Sequence, residues 1–563
     1  MHGSTDTACG SCLGESQDSI FNVRDFGAKG DGVSLDTLAI ARAIQAAASA
    51  GGGRLLIPRG IYVVGTLELK SNITLQLEAG AVLKGSGKLQ DYGLSAAFGF
   101  GRDYGLNSTG EGSHVGMLVG LNLENVAIIG SGAIDGNADV FFDFKKPHYS
   151  MDFDPKYTRQ GESFMSAERK TGDGPVDMAS DRPGTMIVCV KCRNIVIRDV
   201  TLRNSPNWTV HFQDGDDIVV SGIHLANNPL LPNNDGFDCF GCHNVHFSDC
   251  DLRTGDDDFA IVNSSDVTIS NCTMESRSSG IRLEATRDST FSNLVLHSNR
   301  GIGIYGRGIG STENLLFSNM VIDTQLFTGH WWGKGEPIYL ASAAKRGSGN
   351  SGTIRGVTFT NIRGVVEAGI ILYGNPGATL RDITMNNVSF TFRTKRKKVS
   401  DAVGGNFDLR WTSNELATAL FKHDIPGLYA RYVSGVSLRD VVLSWGAVQA
   451  DWFSNGLEFE DFNNVEIAGF TGRQACECTT GAAISLAHGA NVTIRDSKAA
   501  SGTARFLNVT EVAGELLLEG NDLSQARTAW NEGSDQLKSL SNVVPASAKA
   551  DIHKSAVHTS PEK

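Results

Sequence analysis

One phrase recurs along most of this chain and constrains its fold more than any other feature: a polar turn residue, an alternating apolar run and a second short run. A typical copy begins at Asn194, as Asn-Ile-Val-Ile-Arg-Asp-Val-Thr-Leu. The turn position is filled in order by Asn72, Asn125, Asn194, Asp217, Asn244, Asp266, Ser289, Asn314, Asp382, Gly435, Asn464 and Asn491. Their residue numbers place the turns from 194 to 314 at steps of 23, 27, 22, 23 and 25 residues, which is a period.

A period of about 20 to 30 residues built from short β-rich runs, with no helical pattern between them, is typical of a β-solenoid. A leucine-rich repeat has a similar period, but its leucine framework is absent here and β-branched residues predominate. We therefore predict an all-β chain folded as a single-stranded, right-handed parallel β-helix. Neighbouring coils of such a fold are about 4.8 Å apart, so residues separated by one period lie close together.

The repeat also sets the predicted domain boundaries. Residues 21–541 form one parallel β-helix, with a flexible N-terminus at 1–20 and a disordered polar tail at 542–563. The alanine-rich segment 38–50 has apolar residues at helical spacing and stops at three glycines, which predicts a short helix capping the first coil. The segment from about 141 to 182 breaks the repeat, and we expect a long loop inserted between coils, beside a cleft.

Charge and hydropathy argue against two classes of protein. The net charge of -12 over 563 residues is unlike that of a nucleic-acid binder, which presents a basic surface to phosphates. One short basic run, at 393–398, is the exception, and we assign it to a solvated loop. No apolar stretch reaches about 18 residues, so no membrane-spanning helix is expected.

The ten cysteines raise the question of zinc, because three pairs have Cys-x-x-Cys spacing: Cys9/Cys12, Cys189/Cys192 and Cys239/Cys242. The last two pairs fall in strand-like repeats, where cysteine serves as a small buried apolar side chain. We therefore expect stacked cysteines, with no metal and no cofactor. The Cys9/Cys12 pair and Cys476-x-Cys478 remain open as disulfides.

Two phrases bring carboxylates together. Asp235 lies in Pro-Asn-Asn-Asp-Gly-Phe-Asp at 232–238, and Asp256 and Asp257 lie in Thr-Gly-Asp-Asp-Asp-Phe-Ala-Ile at 254–261. The step from 235 to 256 is 21 residues, about one coil, so both phrases should occupy one face of neighbouring coils. Successive strand residues point to opposite faces, so Asp256 and Asp257 can both be exposed only where the backbone turns out of the ladder. We expect Gly255 to permit that turn.

Clustered carboxylates have three common explanations: acid/base catalysis, a calcium site, and polar residues at solenoid corners. The register favours catalysis. Two carboxyl groups flanking a glycosidic bond, one protonated and one ionised to activate water, are the minimum apparatus for glycoside hydrolysis. Like charges held close together also raise one pKa, which provides the acid.

These motifs resemble glycoside hydrolase family 28, the polygalacturonase and rhamnogalacturonase family of parallel β-helix enzymes. The resemblance covers roughly residues 21–392. It includes Asp-Phe-Gly-Ala-Lys-Gly-Asp-Gly at 25–32, Ile-Pro-Arg-Gly-Ile-Tyr at 57–62 and Asn-Ser-Pro-Asn-Trp at 204–208. It also includes Asn233-Asn234-Asp235, similar to the family's Asn-Thr-Asp, and Gly255-Asp256-Asp257, similar to its Gly-Asp-Asp.

The resemblance implies a role for each aspartate. Asp256 would be the general acid, and Asp235 and Asp257 would be the bases that activate the hydrolytic water, giving inversion at the anomeric carbon. Asn233, in the first motif, would contact substrate. Inverting enzymes hold acid and base about 6.5 to 9.5 Å apart, which suits side chains on adjacent coils.

Two family elements are missing. Ser-Ser-Gly-Ile-Arg at 278–282 stands where polygalacturonases have Gly-His-Gly, and Gly-Ile-Tyr at 303–305 stands where they have Arg-Ile-Lys. The Arg/Lys element grips the substrate's uronate in the family. Arg282 and Arg307 are candidates to replace it, because a guanidinium can bind a carboxylate from another coil. The alternatives are a neutral sugar at the cleavage site and two solvated surface arginines.

Further substrate contacts are predicted at a downstream loop, Gly-His-Trp-Trp-Gly-Lys-Gly-Glu-Pro at 329–337. Two consecutive indoles, Trp331 and Trp332, in a glycine-rich charged loop suit a platform for sugar rings, with Lys334 and Glu336 as polar contacts. His211, in the strand after Trp208, is a further candidate on the cleft face, or a hydrogen-bonded structural histidine.

The favoured function is hydrolysis of a pectin-type or related acidic or neutral polysaccharide or oligosaccharide, by a monomer located outside the cell or in the periplasm. That location is inferred from function, since the first residues lack the apolar core of a signal peptide. One alternative is a uronan lyase on the same scaffold, with calcium bound by several of the aspartates at 235, 238 and 256–258. Another is a non-catalytic glycan-binding tailspike or adhesin. The insertion at 141–182 would favour exo action by closing one end of the cleft.

Overall fold

The structure is a computed structural model. It describes residues 19–98, 114–148, 153–164, 174–308, 310–329, 331–342, 351–394, 403–410, 412–413, 415–446, 450–475, 478, 480–531 and 537–545. Thirty-eight strands join in one continuous sheet, and every pairing within it is parallel. The predicted parallel β-helix is confirmed.

Three faces, named here sheets I, II and III, run along the helix. Sheet I contains strands Leu67–Glu68, Leu118–Leu121, Ile187–Val190, Val210–Gln213, Phe237–Phe240, Phe259–Val262, Ser279–Glu284, Arg300–Gly306, Ile338–Ser342 and Ile370–Tyr373. Sheet II contains Ile20–Asn22, Gly53–Ile57, Ile73–Leu77, Glu124–Gly130, Arg193–Arg198, Asp216–Ser221, His243–Ser248 and Ser265–Ser270. Sheet III contains Asp31–Leu35, Gly60–Val64, Ala81–Gly85, Ala133–Asp135, Thr201–Arg203, His224–Ala226, Asp251–Arg253 and Thr273–Glu275.

Later coils use longer strands that continue from one sheet into the next. Sheets II and III share Arg287–Ser298, Ser311–Thr324, Thr353–Val366 and Leu380–Phe392. Leu428–Trp445 runs through all three sheets. Leu457–Ala468, Ala482–Arg495 and Thr503–Glu519 begin in sheet I and continue into sheet II. The last coils are completed by Thr471–Gly472, Lys498–Ala499, Ala526–Trp530 and Leu537–Leu540.

The core fills the interior of the coils, where every second residue of each strand points inward. Phenylalanines stack along the axis: the Phe291 and Phe317 ring centroids are 4.6 Å apart, and those of Phe317 and Phe359 are 4.9 Å apart. Burying each such side chain contributes about 1.5 to 3 kcal/mol. The repeat is therefore held together by contacts between neighbouring coils.

The predicted turn residues adopt the left-handed conformation that Asn, Asp and Gly tolerate best, with one correction. In the coil after Asp266 the residue with positive φ is Asp288, at 50°, and not Ser289. Asn314 aligns with it and donates a hydrogen bond to Asp288 Oδ1 at 2.6 Å. Two polar residues, Asp288 and Ser289, precede the apolar run in the sequence. Only the pairing of the strands shows which of them occupies the turn position.

The predicted cap is helix α1, Thr37–Ser49, which begins and ends one residue before the predicted bounds. Its buried face is Ala39, Ile40, Ala43, Ile44 and Ala47. The chain then passes through three glycines with φ of 90°, 133° and 145°. A Cβ on Gly52 would stand 2.5 Å from the Asn72 carbonyl oxygen, so no other residue fits there. Short 3-10 helices occupy Val23–Phe26, Leu89–Asp91, Ser95–Phe98, Ala138–Phe141, Pro155–Tyr157, Gly161–Ser163 and Leu416–Thr418.

The first insertion, residues 141–182, is more ordered than a loop, because Phe142–Pro147 and Val176–Met178 pair as antiparallel strands. A second insertion, residues 393–427, was not predicted and contains the antiparallel strands Asn406–Asp408 and Leu420–Lys422. The two insertions meet directly. The Arg159 backbone N–H donates to Asn406 Oδ1 at 2.7 Å, and Gln160 Nε2 donates to the Gly404 carbonyl at 2.9 Å.

The insertions and the outer face of sheet I enclose a second hydrophobic core. It contains Phe153, Phe164, Tyr305, Leu326, Tyr339, Ala341, Ala368, Ile371, Val403, Phe407, Leu409, Ala419, Leu420, Ile425, Tyr429, Ala450, Trp452, Phe453 and Ala475. Both insertions are therefore anchored on the coils that follow residue 300.

The ends of the β-helix differ slightly from the predicted boundaries. Ile20 belongs to the first strand, and the Asn521 backbone N–H donates to Asn542 Oδ1 at 2.8 Å, so the coil continues beyond residue 541. The predicted flexible start and disordered tail otherwise lie outside the described residues, as do Cys9, Cys12, Cys476 and the basic run from 395 onward.

The described cysteines of the strand-like repeats are buried and unpaired, as expected for stacked apolar side chains. They are Cys189, Cys192, Cys239, Cys242, Cys250 and Cys272. No helix in the described part of the chain is long and apolar enough to cross a membrane.

Candidate active site

The two aspartate phrases occupy successive turns that lead into sheet I. Asp235 precedes strand Phe237–Phe240, and Asp257 precedes the next strand of the sheet, Phe259–Val262. The Gly236 backbone N–H donates to the Asp257 carbonyl at 2.9 Å, so the two turns lie one above the other. The predicted placement on neighbouring coils is confirmed by this register.

The three predicted catalytic carboxylates meet in one cluster. One oxygen each from Asp235, Asp256 and Asp257 lies within 4.8 Å of the others, and the residues are only 5, 6 and 3% exposed. This is the one group of metal-ligating type among the described residues. The oxygens are closer than the acid-to-base spacing of about 6.5 to 9.5 Å expected for inverting enzymes.

Gly255 is required for a different reason from the one expected. A Cβ at this position would stand 2.4 Å from the Leu231 carbonyl oxygen, so it is the close approach of the preceding coil that demands glycine. Asn234 fixes the turn, because its Oδ1 accepts from the Gly255 N–H at 2.7 Å and from the Asp256 N–H at 3.3 Å. The first motif therefore orients the second through an amide side chain.

Asp256 has the environment of a general acid. Its Oδ2 accepts from the Asn233 N–H at 3.3 Å and its Oδ1 from the Asp257 N–H at 3.1 Å. Burial and the neighbouring Asp257 charge raise the pKa of Asp256 to about 7, against weaker opposing hydrogen bonds from Ser278 and Asn233. Asp256 therefore holds a proton near neutral pH and can donate it.

Of the three carboxylates, Asp257 has the neighbours that most stabilise its ionised form. Burial raises its pKa, but Arg282 and hydrogen bonds from Ser279 oppose the rise. Its Oδ1 accepts from the Ser279 N–H at 3.1 Å, and its Oδ2 lies 3.8 Å from Arg282 Nε. Asp235 has less support: burial and then the Asp256 charge raise its pKa well above the usual range, and its buried Oδ1 has no hydrogen-bond partner among the described residues.

Asn233 lies at the site, but its side chain is already engaged. Its Oδ1 accepts from Arg182 Nη2 at 3.2 Å. Arg182, at the end of the first insertion, was missed by sequence reasoning, and its Nη1 also donates to the Pro206 carbonyl at 2.8 Å and the Pro232 carbonyl at 3.0 Å. It therefore links two family motifs. The only signal in the sequence was an arginine in a Pro-Gly turn directly before the repeat resumes.

Of the two roles predicted for His211, a contact on the cleft face or a structural histidine, the structure contradicts the first. The side chain is 0% exposed, one coil before Asp238 in the register of sheet I. The rings of Trp208 and Phe240 lie 5.3 and 5.0 Å from the imidazole and enclose it. His211 is therefore a packed residue of the sheet.

The two candidate uronate ligands have different surroundings. Arg307 is paired with Glu284 through both Nε, at 2.9 Å, and Nη2. Arg282 reaches Glu284 at 3.6 Å and Asp257 at 3.8 Å, which are longer ion pairs. Arg282 therefore lies beside the aspartates and is the better placed of the two, and neither arginine is a solvated surface residue.

The loop at 331–336 folds onto the site, but not as an open tryptophan platform. Trp331 is only 2% exposed, so the predicted sugar platform is wrong for this residue, whose carbonyl accepts from Arg410. Trp332 keeps partial exposure, and the Arg410 guanidinium lies 4.6 Å from its ring centroid. The Trp332 N–H donates to Ser278 Oγ at 3.3 Å, which connects the loop to the turn after Asp257.

Lys334 and Glu336 are not the exposed polar contacts that were predicted. They are 3 and 1% exposed, because the loop is covered by the two insertions. The Lys334 ammonium lies 5.9 Å from the Phe164 ring centroid. Glu336 binds a buried arginine, Arg300, which sequence reasoning also missed.

Sheet I supplies the floor beside the aspartates. Arg300 Nη1 donates to the Tyr305 hydroxyl at 2.5 Å, and the Arg300 guanidinium lies 3.7 Å from the Tyr339 ring centroid. Gly303 makes room for this arrangement. A Cβ there would stand 2.9 Å from Tyr305 Cε2 and 3.2 Å from Arg300 Cδ.

The site is thus a cluster of three buried carboxylates at the turns that lead into sheet I of a parallel β-helix. Residues 52–281 match a family model described as "Glycosyl hydrolases family 28". The resemblance predicted from the motifs is confirmed over these residues. A second family model, the periplasmic copper-binding protein NosD, matches residues 194–418.

Individual relatives agree with this family over part of their length. An exo-poly-alpha-D-galacturonosidase of Dickeya chrysanthemi is 31% identical over 242 residues, 40% of this chain and 39% of the relative. A probable polygalacturonase of Vitis vinifera is 29% identical over 233 residues, 40% of each chain. The matched region thus spans about two fifths of these relatives.

Among solved structures, the family 28 exopolygalacturonase of Yersinia enterocolitica is similar with a TM-score of 0.53 and 18% identity. The alignment covers 80% of this chain and 79% of that one, which supports the β-helix fold.

Proposed function

We propose that this chain is a glycosidase that hydrolyses a pectin-type polysaccharide with a uronate at the cleavage site, using an inverting mechanism. One observation carries the proposal: three buried carboxyl groups with oxygens within 4.8 Å meet beside the guanidinium of Arg282. Carboxyl groups that differ in protonation are what glycoside hydrolysis needs, and a buried cation beside them suits an anionic sugar.

In this mechanism Asp256 donates its proton to the glycosidic oxygen while the bond from that oxygen to the anomeric carbon breaks. Water attacks the anomeric carbon from the opposite face and gives its proton to Asp257. The acid loses one proton and the base gains one, and the net result is addition of water across the bond. Asp235, with its unpartnered buried oxygen, helps to hold that water.

Inversion is supported by the family and not by the spacing of the carboxylates. The oxygens of the trio are closer than the range of about 6.5 to 9.5 Å that leaves room for water. The anomeric configuration of the first product, observed by NMR before it equilibrates, decides the question. An inverted product supports the proposal, and a retained product contradicts it.

Exo action follows from where the insertions lie. The Tyr339 hydroxyl donates to the Asp408 carbonyl at 2.8 Å, and the Phe407 ring centroid lies 5.1 Å from that of Tyr429. The second insertion therefore covers sheet I beyond the aspartates, and the first insertion supports it from above. A polymer bound across the aspartates would meet the insertions over these coils, so we expect cleavage near a chain end.

Two other functions remain as outcomes of the tests. A calcium-dependent lyase would draw on five aspartates, but Asp238 and Asp258 are not part of the cluster of three, and Asp258 Oδ1 accepts from the Thr254 hydroxyl at 2.9 Å. An unsaturated, ultraviolet-absorbing product would identify a lyase. Binding without cleavage would identify a tailspike-like or adhesin-like protein.

The substrate and location belong to the same proposal. Pectin-type polymers are met outside the cytoplasm, so we propose an extracellular or periplasmic monomer that has no nucleic-acid partner. The direct experiment measures reducing ends released from pectic and related polysaccharides by the wild type, Asp256→Asn and Asp217→Asn. Asp217 is a matched control because it is an exposed turn aspartate that accepts from Asn244 at 2.7 Å and lies 3.9 Å from Arg193 Nε. Loss of cleavage in Asp256→Asn alone supports the proposal, and equal activity of all three proteins contradicts it.

A further inference from the structure

A buried arginine lies two coils beyond the catalytic Asp257, in the same column of the β-helix. Ser279 donates its N–H to Asp257, and Ser279 in turn aligns with Arg300 in the next strand of sheet I. Arg300 also favours the ionised form of Asp257. The position of this guanidinium therefore bears directly on the proposed base.

Every edge of the Arg300 guanidinium is engaged. Its Nε and Nη2 donate to the two Glu336 oxygens at 3.3 and 3.2 Å, and its Nη1 donates to the Tyr305 hydroxyl at 2.5 Å. The side chain is only 2% exposed. Arg300 is therefore part of the framework of the site and is not available to hold a substrate carboxylate.

One further carboxylate reaches this arrangement from outside the β-helix. Asp408, on the strand Asn406–Asp408 of the second insertion, lies 3.8 Å from Arg300 Nη2. Its two oxygens accept from Arg410 Nε and Nη2, both at 2.9 Å, and its Oδ2 also accepts from the Gly333 N–H at 3.1 Å. Asp408 thus joins the insertion, the loop at 331–336 and the Arg300 framework.

We propose that Asp408 is a positioning residue for hydrolysis: it acts through Arg300, which it holds together with Glu336 two coils from Asp257. The second insertion is then a working part of the active site as well as a cover over the cleft. This inference deepens the proposed function and rests on it for its kinetic readout. It does not depend on the identity of the polysaccharide.

The physical reason is charge balance in a buried space. A buried ion that loses its partner is strongly destabilised. Without the Asp408 carboxylate, Arg410 loses its bidentate partner and Arg300 keeps only Glu336 as a counter-charge. Arg300 then shifts or exerts a less balanced positive charge on Asp257, and in the second case the pKa of Asp257 falls.

Several other ionisable groups act on the two carboxylates. Asp257 is surrounded by Asp235, Asp238, Asp256, Asp258, Arg282, Arg300 and Tyr305. Asp408 is surrounded by Arg300, Lys334, Arg410, Tyr305 and Tyr339, and the arginines hold its own pKa well below the usual range. Asp408 is therefore ionised throughout the working pH range, and changing it alters a fixed charge.

The test compares Asp408→Asn with Asp424→Asn. Asp424 is a carboxylate of the same insertion that pairs with Arg159 at 2.5 Å, is largely exposed, and does not touch the floor of the site. We expect kcat of Asp408→Asn to fall at least about tenfold with KM nearly unchanged, because misplacing a catalytic group by about 1 Å costs up to about a hundredfold. If Arg300 stays in place, the pKa of Asp257 falls, so the acidic limb of the pH profile of kcat should move to lower pH. Asp424→Asn should keep the wild-type kcat and the wild-type acidic limb.

The inference is overturned if folded Asp408→Asn retains the wild-type kcat and acidic limb, or if Asp424→Asn loses as much activity. If Asp408→Asn does not fold, the double variant Asp408→Asn with Arg410→Gln replaces the ion pair by an amide pair, and the same outcomes apply. A crystal structure of the variant gives a readout without activity. Displacement of Arg300 or of the loop at 331–336 supports the inference even if the wild type cleaves no pectic polymer, and unchanged positions with unchanged pH behaviour refute it.

Discussion

Replacing Arg282 by glutamine separates the two tasks assigned to this guanidinium, binding a substrate uronate and favouring the ionised form of Asp257. A hydrogen bond to a charged group contributes about 1.5 to 3 kcal/mol. Since about 1.4 kcal/mol is a factor of ten, kcat/KM for a uronate substrate should fall by about 10- to 150-fold. The residue is almost buried and its ion pairs are 3.6 and 3.8 Å long, so the loss should come mainly from the substrate and less from stability.

The assay compares galacturonides with the corresponding neutral galactosides, for the wild type, Arg282→Gln and Arg282→Lys. The uronate substrate should lose its advantage in Arg282→Gln and regain part of it in Arg282→Lys. Arg282 lowers the pKa of Asp257, so removing it raises that pKa, and the acidic limb of activity should move to higher pH. An equal loss for neutral and acidic substrates, or no change in either, would refute the assigned role of Arg282.

Three further results are expected. Burial and the Asp257 charge raise the pKa of Asp256 to about 7, so the acid loses its proton as the pH rises through that value. The kcat/KM should therefore decline above about pH 7, and a profile flat to pH 9 would contradict Asp256 as the acid. Gly303→Ala should reduce kcat, because the added Cβ displaces Tyr305 and Arg300. Gly377→Ala is the control and should keep the wild-type kcat, because its Cβ would meet only the Asn375 side-chain oxygen, at 3.4 Å. Equal activity of the two variants would show that the close approach at Gly303 is tolerated. Arg159→Ala removes the side-chain contacts of Arg159 with the Gly405 carbonyl and with Asp424, while its backbone hydrogen bond to Asn406 remains. The viscosity of a pectic polymer should then fall faster per bond cleaved than with the wild type. Unchanged exo products would show that the insertions close the cleft without these side-chain contacts.

The parts of the site that could be predicted are those that lie within the repeat. In a parallel β-helix, separation by one period means proximity, and this placed Asp235 beside Asp256 and Asp257 without a structure. The capping helix could be predicted as well, because an alanine-rich amphipathic segment that ends in glycines is a local signal. Periodicity and local propensity therefore predicted the fold and brought the three candidate catalytic aspartates together.

The parts that could not be predicted come from outside the repeat or depend on burial. Asp408 and Arg410 belong to an insertion with no period, so nothing in their spacing connects them with Arg300. The loop containing Trp331 looked exposed because of its glycines and charges, yet the two insertions bury it. His211 was expected on an open face, and it is enclosed by the aromatic rings of Trp208 and Phe240.

The central claim is that Asp256 donates the proton in hydrolysis of a uronate-containing polymer, and one measurement tests it most directly. The products formed from polygalacturonate by the wild type and by Asp256→Asn would be followed by NMR, with Asp217→Asn as the control. The account predicts a saturated, anomerically inverted monosaccharide from the wild type and the control, and a rate about 100- to 10,000-fold lower for Asp256→Asn. Unsaturated products, or an Asp256→Asn enzyme as active as the control, would contradict it.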